Sequence, residues 1–175
     1  MLTGELIRLR PLEPEDADTL WRWHNDPEVT RWMPADHPES LAQIRERFAR
    51  RKPNSFGQVE FAIESLAVGT LIGTCTLRDA TPEQGRAELD IYLGEKDHWG
   101  GGYGTDAMRT LCRYGFDMMR LHMIALWVVV DNEAAIHIYK KLGFQVDGRH
   151  RQSFRGQNGQ WHDEYLMSLL EGELR

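Results

Sequence analysis

The sequence contains little cysteine and no long apolar run. Its two cysteines, Cys75 and Cys112, form no CxxC pair or other zinc spacing, and their surroundings predict two small buried residues. No stretch approaches the roughly 18 consecutive apolar residues that a membrane span requires. The first residues alternate charged and aliphatic side chains and lack the apolar core of a signal peptide. We therefore expect a cytoplasmic protein without a membrane partner.

Positive charge is also scarce, because 21 Lys and Arg residues stand against 27 Asp and Glu residues, for a net charge of -6. A broad basic surface that binds nucleic acid is therefore not expected. The seven histidines form neither an HExxH motif nor a spaced set with Cys or Asp, so we predict no metal site. A chain of 175 residues with this balance is typical of a single domain, which we take as residues 1–175.

The hydrophobic periodicity predicts an α+β fold with a mixed central β-sheet flanked by helices on both faces. Strands are predicted at residues 6–10, 58–65, 70–77 and 86–93, followed by a strand buried on both faces at 123–130 and a closing hairpin around 157–159. Helices are predicted from Pro14, over 25–33 behind an Asp26 cap, over 38–51, after the glycines near residue 100, and between Asn132 and Gly143.

The segment HWGGGYGTDA, residues 98–107, places four glycines directly before a helix. Its spacing formally matches a dinucleotide fingerprint, but the loop does not follow its strand directly, and no acidic residue follows at the required distance after the next strand. A Walker loop is excluded because no Gly-Lys-Ser/Thr sequence occurs. Glycines let successive backbone amides converge on one ligand, and the helix dipole adds about half a positive charge there. The loop therefore predicts a pyrophosphate site rather than a flexible turn.

The residues Trp99-Gly100-Gly101-Gly102-Tyr103-Gly104 resemble the Gln/Arg-x-x-Gly-x-Gly/Ala signature of the GNAT-type N-acetyltransferase superfamily, with Trp99 in place of Gln or Arg. In that family the loop backbone holds the pyrophosphate of acetyl-coenzyme A. The opening LIRLRPLEPEDADTLWRWHNDPEVTRWM is similar to the ribosomal-protein-alanine acetyltransferase branch, and VVVDNEAAIHIYKKLGF is similar to the family's later strand and Asn-led helix. The three matches occur in order, so the resemblance covers nearly the whole chain.

The resemblance implies an acetyl-CoA-dependent N-acetyltransferase without a metal, and a homodimer as a family-level expectation. It implies that the coenzyme is bound by a strand, the glycine loop and the start of a later helix: Ile91, Leu93, Trp99, Gly100, Gly101, Gly102, Tyr103, Gly104, Thr105 and Asn132. The alternative for Asn132 is a helix cap alone. A coenzyme A-binding module without turnover is a rival interpretation, and a nicotinamide oxidoreductase is a more remote one.

Two further residues are predicted to carry the chemistry. Tyr139 lies two helical turns after Asn132 and would donate a hydrogen bond to the departing thiolate, although a core aromatic would fit the same pattern. Full proton donation from a tyrosine near pKa 10 to a thiol near 8.5 is uphill by ~2 kcal/mol. Glu88 shares a strand face with Asp90 and is the better match to the family's base, while a solvated acidic face is the alternative. Because neither cysteine is placed to carry an acyl group, we expect direct attack by the amine.

The acceptor is predicted to be the N-terminal α-amine of a protein or peptide. An α-amine near pKa 8 is free to roughly 10% at neutral pH, which suits a weak base, whereas an amine near 10.4 is free only to ~0.1%. Residues 20–33 also show no dense acidic cluster, since Asp26 and Glu28 are offset by Arg22 and Arg31. The alternative acceptor is a small amine such as a polyamine, an amino sugar or an aminoglycoside.

Overall fold

The structure, a computed structural model, describes residues 1–34 and 36–175. Within this part, eight strands form one sheet: β1 (Leu2–Thr3), β2 (Ile7–Pro11), β3 (Gln58–Ser65), β4 (Leu71–Thr81), β5 (Arg86–Leu93), β6 (Met123–Val129), β7 (Gln145–Arg155) and β8 (Trp161–Leu170). The α-helices are α1 (Ala17–His24), α2 (Leu41–Ala49), α3 (Tyr103–Asp117) and α4 (Glu133–Leu142), and short 3-10 turns span Pro14–Asp16 and Lys96–His98. None of the helices in the described residues is long and apolar enough to cross a membrane.

The strand order is β1-β2-β3-β4-β5-β6-β8-β7. Neighbouring strands are antiparallel except for β5 and β6, which run parallel and are connected through the glycine loop and α3. A parallel pair requires such a crossover, because a hairpin can join only antiparallel strands. The predicted α+β fold with a mixed sheet is confirmed.

Two apolar clusters cover the two faces of the sheet. The larger one packs α3 and α4 against the sheet, and Leu77, Leu111 and Ile124 are fully buried in it. The smaller one packs α1 and α2 against the opposite face, where Trp23 and Ile44 are each 1% exposed. Alternate residues of a strand point to opposite faces, so each central strand contributes side chains to both clusters. The prediction of helices on both faces is confirmed.

The ends of α4 follow the caps that the sequence predicts. The Asn132 side-chain Oδ1 accepts a hydrogen bond from the Ala135 amide at 3.3 Å. Gly143 ends the helix with a φ of 108°, and a Cβ there would lie 2.4 Å from the Glu173 carbonyl oxygen, so no other residue fits. The predicted closing hairpin is also present, as β7 and β8.

The helix predicted over residues 25–33 is wrong. The segment forms successive turns, with the Thr30 amide bonded to the Asp26 carbonyl at 3.0 Å and the Met33 amide bonded to the Thr30 carbonyl at 3.0 Å. So short a segment gains little from helix propagation. The carboxylates of Asp26 and Glu28 contact Lys96, and Val29 is buried in the cluster with α1 and α2, so the segment makes several tertiary contacts.

The strand predicted at 123–130 is central, as expected, but it is not buried on both faces. Ile124, Leu126 and Val128 are buried, whereas Trp127 is 40% exposed and Met123 is only half-buried. No described residue of β6 belongs to the cluster that α1 and α2 form, so this face of the strand stays partly open.

Candidate active site

The parallel strands β5 and β6 separate soon after they meet. In the described residues their register covers Arg86, Ala87 and Glu88 of β5, while β5 remains paired with β4 as far as Leu93. In an antiparallel ladder, alternate residues point their backbone N–H and C=O groups away from the partner strand. The last part of β5 therefore directs backbone hydrogen-bonding groups into the gap beside β6.

A cleft of about 2010 Å³ follows this gap. Typical small-molecule sites measure ~300–1,000 Å³, so the cleft has room for two ligands side by side. One end lies against the glycine loop and α4, and the other against residues from the α1–α2 region and β3–β4. Nine predicted site residues line it: Ile91, Leu93, Trp99, Gly100, Gly102, Gly104, Thr105, Asn132 and Tyr139. Gly101, Tyr103 and Glu88 are not among the described lining residues.

The glycine loop, predicted to bind the pyrophosphate, lies at the start of α3. Gly100 has a φ of 73°, and Gly102, the N-cap, has a φ of 86°, which is a backbone conformation that favours glycine. A Cβ on Gly104 would meet only Leu93 Cδ1, at 3.8 Å, so packing does not require glycine there. The first amides of a helix have no carbonyl acceptor within it. Small residues, free amides and the helix dipole fit the pyrophosphate of coenzyme A.

One negative charge at this helix start is already bound elsewhere. Asp106 lies in the first turn of α3 and is 5% exposed. Its Oδ2 accepts hydrogen bonds from the amides of Leu6 at 2.7 Å and Ile7 at 3.1 Å. The carboxylate thus joins α3 to β2, and its acceptor lone pairs are directed at the strand rather than at the loop.

Trp99, which stands where the family has Gln or Arg, holds the loop against β5. Its Nε1 donates a hydrogen bond to the Leu93 carbonyl at 2.9 Å, and 45% of the residue remains exposed. The next residue back, His98, packs edge-on against the Tyr103 ring at 4.8 Å between centroids. The Trp99 indole therefore links the end of β5 to the glycine loop.

Tyr139 and Asn132 both face the cleft from α4. Tyr139 is half-buried. Burial raises the pKa of Tyr139 to about 12, and the negative charge of Asp90 acts in the same direction. Asp90 lines the same cleft from β5. Asn132 caps the helix and lines the cleft as well, so the cap and the ligand contact predicted for it are compatible.

The two carboxylates predicted to share a strand face are both bound to Arg78. Arg78 Nη2 lies 2.8 Å from Glu88 Oε2, and Arg78 Nε lies 2.6 Å from Asp90 Oδ2. They differ in position, because Asp90 lines the cleft, whereas Glu88 lies where β5 still pairs with β6. The base assignment to Glu88 therefore stays a prediction, and of the two carboxylates only Asp90 is among the described residues that line the cleft with Tyr139.

The lining of the cleft is acidic. Several carboxylates come from segments that are distant in the sequence, and Asp36 and Glu39 follow residues 20–33 directly. The acidic lining residues are Glu28, Asp36, Glu39, Glu60, Asp90, Glu133 and Glu164, against the basic residues Arg31, Arg78 and Lys141. The absence of a dense acidic cluster in residues 20–33 is thus a property of that segment and not of the folded cleft.

Both cysteines lie in the core. Cys75 is 1% exposed and Cys112 is fully buried, and neither lines the cleft among the described residues. Burial raises the pKa of Cys112 to about 12, so its thiol stays protonated at neutral pH. A covalent acyl-cysteine step has no available nucleophile in this arrangement. The described residues also contain no group of three His, Cys, Asp or Glu side chains that could hold a metal ion.

Several lining residues were not predicted from the sequence. Glu60, Thr74, Thr76 and Arg78 lie on β3 and β4, and Glu164 lies on β8. Glu60, Thr76 and Arg78 alternate with buried neighbours, as on any strand with one solvated face. Because the sequence does not specify which strands border the gap, no local signal distinguishes these residues from ordinary surface positions.

The family profile described as Acetyltransferase (GNAT) domain matches residues 7–145. The chain belongs to the GNAT acetyltransferase family. This acetyltransferase is 34% identical over 174 residues to an uncharacterised N-acetyltransferase of Bacillus licheniformis, covering 98% of this chain and 97% of the relative. The predicted family, its acetyl-CoA dependence and its amine chemistry are thereby confirmed.

Two further relatives differ in the acceptor that their names state. The spermidine N(1)-acetyltransferase of Escherichia coli is 29% identical over 171 residues, covering 98% of this chain and 89% of the relative. A candidate ribosomal N-acetyltransferase of Bacillus subtilis is 30% identical over 176 residues, covering 97% of this chain and 94% of the relative. The second relative agrees with the predicted branch, and the first with the predicted alternative acceptor.

Among solved structures, this acetyltransferase is similar to spermidine N-acetyltransferase from Vibrio cholerae in complex with CoA and spermine. The TM-score is 0.87 at 25% identity, covering 97% of this chain and 98% of that chain. That protein therefore shares the fold over its whole length, and its structure contains a coenzyme and a polyamine together.

Proposed function

We propose that this acetyltransferase transfers the acetyl group of acetyl-CoA to a primary amine of a small polycation of the spermidine class. The observation that carries the proposal is the excess of carboxylates along the cleft. Among the described residues, seven acidic and three basic side chains line it, and the acidic ones include Asp36 and Glu39 before α2, Glu60 on β3 and Glu164 on β8. Carboxylates attract alkylammonium groups, whereas a peptide with one α-amine needs few of them. The spermine complex of the Vibrio cholerae relative supports the same acceptor class.

Not every carboxylate is equally available to an ammonium group. Glu60 and Glu39 form ion pairs with Arg51 and Arg47, at 2.9 and 2.8 Å. Glu164 Oε2 instead accepts a hydrogen bond from the Ser153 hydroxyl at 2.7 Å, and no Lys or Arg of the described residues forms an ion pair with it. We place one end of the acceptor at Asp90, near the reacting bond, and the distant ammonium groups along the remaining carboxylates.

The proton on the acceptor must leave before the amine can attack. A polyamine nitrogen resembles a lysine amine near pKa 10.4 and is free only to ~0.1% at neutral pH. Asp90, facing the cleft near Tyr139, accepts this proton directly or through water. Arg78 holds the Asp90 carboxylate at 2.6 Å and leaves the second oxygen for the proton.

The remaining roles belong to the coenzyme end. The amides of residues 103–105 and the glycine backbone hold the pyrophosphate, while β5 offers its outward N–H and C=O groups to the pantetheine arm. Acetyl-CoA supplies the thioester carbonyl that the amine attacks, with a C–N bond formed and a C–S bond broken. The Tyr139 hydroxyl keeps its proton and stabilises the negative charge that develops on the sulfur.

The acceptor proposal is tested by a panel of amines. We expect kcat/KM for spermidine to exceed that for peptides with small, unblocked N-termini at least tenfold, because only the polycation can occupy several carboxylates at once. Initial rates of thiol release would be measured for spermidine, such peptides, an aminoglycoside and an amino sugar. A peptide whose kcat/KM matched or exceeded that of spermidine would contradict the proposal and favour protein N-termini as the acceptor.

The base is tested by two variants that remove the same charge beside Arg78. Asp90→Asn is expected to lower kcat/KM about tenfold at pH 7.5 and less at pH 9.5, where more of the amine is already free. Glu88→Gln is the matched control and is expected to change kcat/KM less than twofold. If Glu88→Gln had the larger effect, the base would be Glu88, as the sequence pattern predicted.

A further inference from the structure

The turn that precedes the glycine loop contacts both β4 and α1. This turn, residues 94–98, is held to β4 by hydrogen bonds from the amides of Gly94 and Glu95 to the Ile72 carbonyl, at 2.9 and 3.2 Å. The Trp23 indole lies directly on Gly94, where a Cβ would be 1.9 Å from the ring. Trp23 Nε1 also donates to Glu95 Oε1 at 2.9 Å. These contacts hold the turn in place against the end of α1.

The Lys96 side chain extends from the turn 94–98 to the segment 25–33. Its Nζ lies 2.8 Å from Asp26 Oδ2 and 2.8 Å from Glu28 Oε2. The two carboxylates raise the pKa of Lys96, and the hydrogen bond from Lys96 is the main cause of a lowered pKa of Asp26. Lys96 and Asp26 therefore stay charged across the neutral range. A single ammonium group joins two like-charged side chains that would otherwise repel each other.

The segment held in this way borders the cleft. Glu28, Arg31 and Met33 line its acceptor end. The segment lacks the regular hydrogen bonds of a helix, so its conformation depends on tertiary contacts. The Lys96 and Glu28 side chains are 44% and 68% exposed, and ion pairs this exposed contribute little to global stability. Their contribution is therefore local, to the conformation of the segment.

We propose that Lys96 is a positioning residue for the acceptor: by bridging Asp26 and Glu28 it fixes residues 25–33 as the wall of the acceptor site beside the coenzyme loop. The proposal concerns acceptor binding of any chemical class, and only the choice of spermidine as probe rests on the proposed function. Lys96 touches neither substrate and acts through the segment that it holds.

The test compares Lys96→Met with Lys96→Arg, which keeps the charge. Lys96→Met is expected to raise the acceptor KM about fivefold, while kcat and the Kd for acetyl-CoA change less than twofold. Lys96→Arg is expected to restore the KM to within twofold of the parent. Lys52→Met, at an exposed lysine between α2 and β3, is the matched control and should leave all constants unchanged.

A readout that needs no acceptor separates this proposal from the choice of substrate. Amide hydrogen exchange of residues 24–33, measured with coenzyme A present, is expected to be at least threefold faster in Lys96→Met than in the parent. Faster exchange with no spermidine turnover in the parent would refute the polyamine assignment and leave the positioning role intact. An unchanged exchange rate would overturn the positioning role. A KM that fell instead would show that Lys96 only repels a cationic acceptor, and would overturn it as well.

Discussion

Replacing Tyr139 with phenylalanine is expected to lower kcat about 10²-fold while the affinity for acetyl-CoA changes less than twofold. The substitution keeps the ring, which packs beside Phe144 at 6.0 Å between centroids, and removes only the hydroxyl. Binding of the coenzyme rests on the glycine loop and β5, so the loss should appear in the chemical step. The fall in kcat then measures the stabilisation of the departing sulfur.

The raised pKa of Tyr139, about 12, defines what the hydroxyl can do. Transfer of its proton to a thiolate whose conjugate acid titrates near 8.5 would be uphill by about 5 kcal/mol. The hydroxyl is therefore a hydrogen-bond donor that keeps its proton. Because the pKa is raised, the neutral form persists well above pH 10, and kcat should show no loss from tyrosine ionisation between pH 8 and pH 10.

The measurement is thiol release at saturating substrates from pH 7 to pH 10, with single-turnover rates to establish that chemistry limits kcat. Tyr114→Phe is the matched control, because Tyr114 lies on α3 against Phe61 and does not line the cleft among the described residues. A Tyr139→Phe enzyme within threefold of the parent would show that Tyr139 only packs.

A second large effect is expected at the glycine loop, where Gly104→Asp should raise the Kd for acetyl-CoA about a hundredfold. Gly104 is the second residue of α3, among the free amides that receive the pyrophosphate. Two unit charges about 5 Å apart repel by about 3 kcal/mol at an effective dielectric constant of 20, which corresponds to about a hundredfold in affinity. The added carboxylate would occupy the position where the coenzyme's negative charge must lie.

The same substitution should not unfold the protein. An aspartate in the first turn of a helix is stabilising by about 0.3–1 kcal/mol, and the Cβ at Gly104 meets only Leu93 at an ordinary contact distance of 3.8 Å. Gly104→Ala is therefore the control and should change the Kd less than threefold. Gly102→Asp is less informative, because the φ of 86° would strain any side chain. The Kd for acetyl-CoA would be measured by calorimetry for each folded variant. An unchanged Kd for Gly104→Asp would show that the coenzyme binds elsewhere.

The sequence was informative where function depends on a contiguous segment. The glycine loop, the Asn132 cap, the Gly143 stop and most strand positions follow from local rules of backbone conformation and periodicity, and the structure has them where they were predicted. The helix predicted for segment 25–33 was wrong because local patterns do not report contacts with distant residues, such as those of Asp26 and Glu28 with Lys96.

By itself, the sequence indicated the family and the coenzyme, and it predicted the glycine loop as the phosphate site, because a phosphate-binding loop consists of consecutive amides and needs no distant partner. Only the tertiary structure decided which carboxylates meet. The separation of β5 from β6 opens the cleft, and this opening brings Asp90 to its wall while Glu88 stays beside the paired strands. The same folding gathers Glu60 and Glu164 from remote strands around one space. Electrostatic attraction depends on distance in space and not on distance along the chain, so the acidity of the acceptor site became visible only in the folded protein.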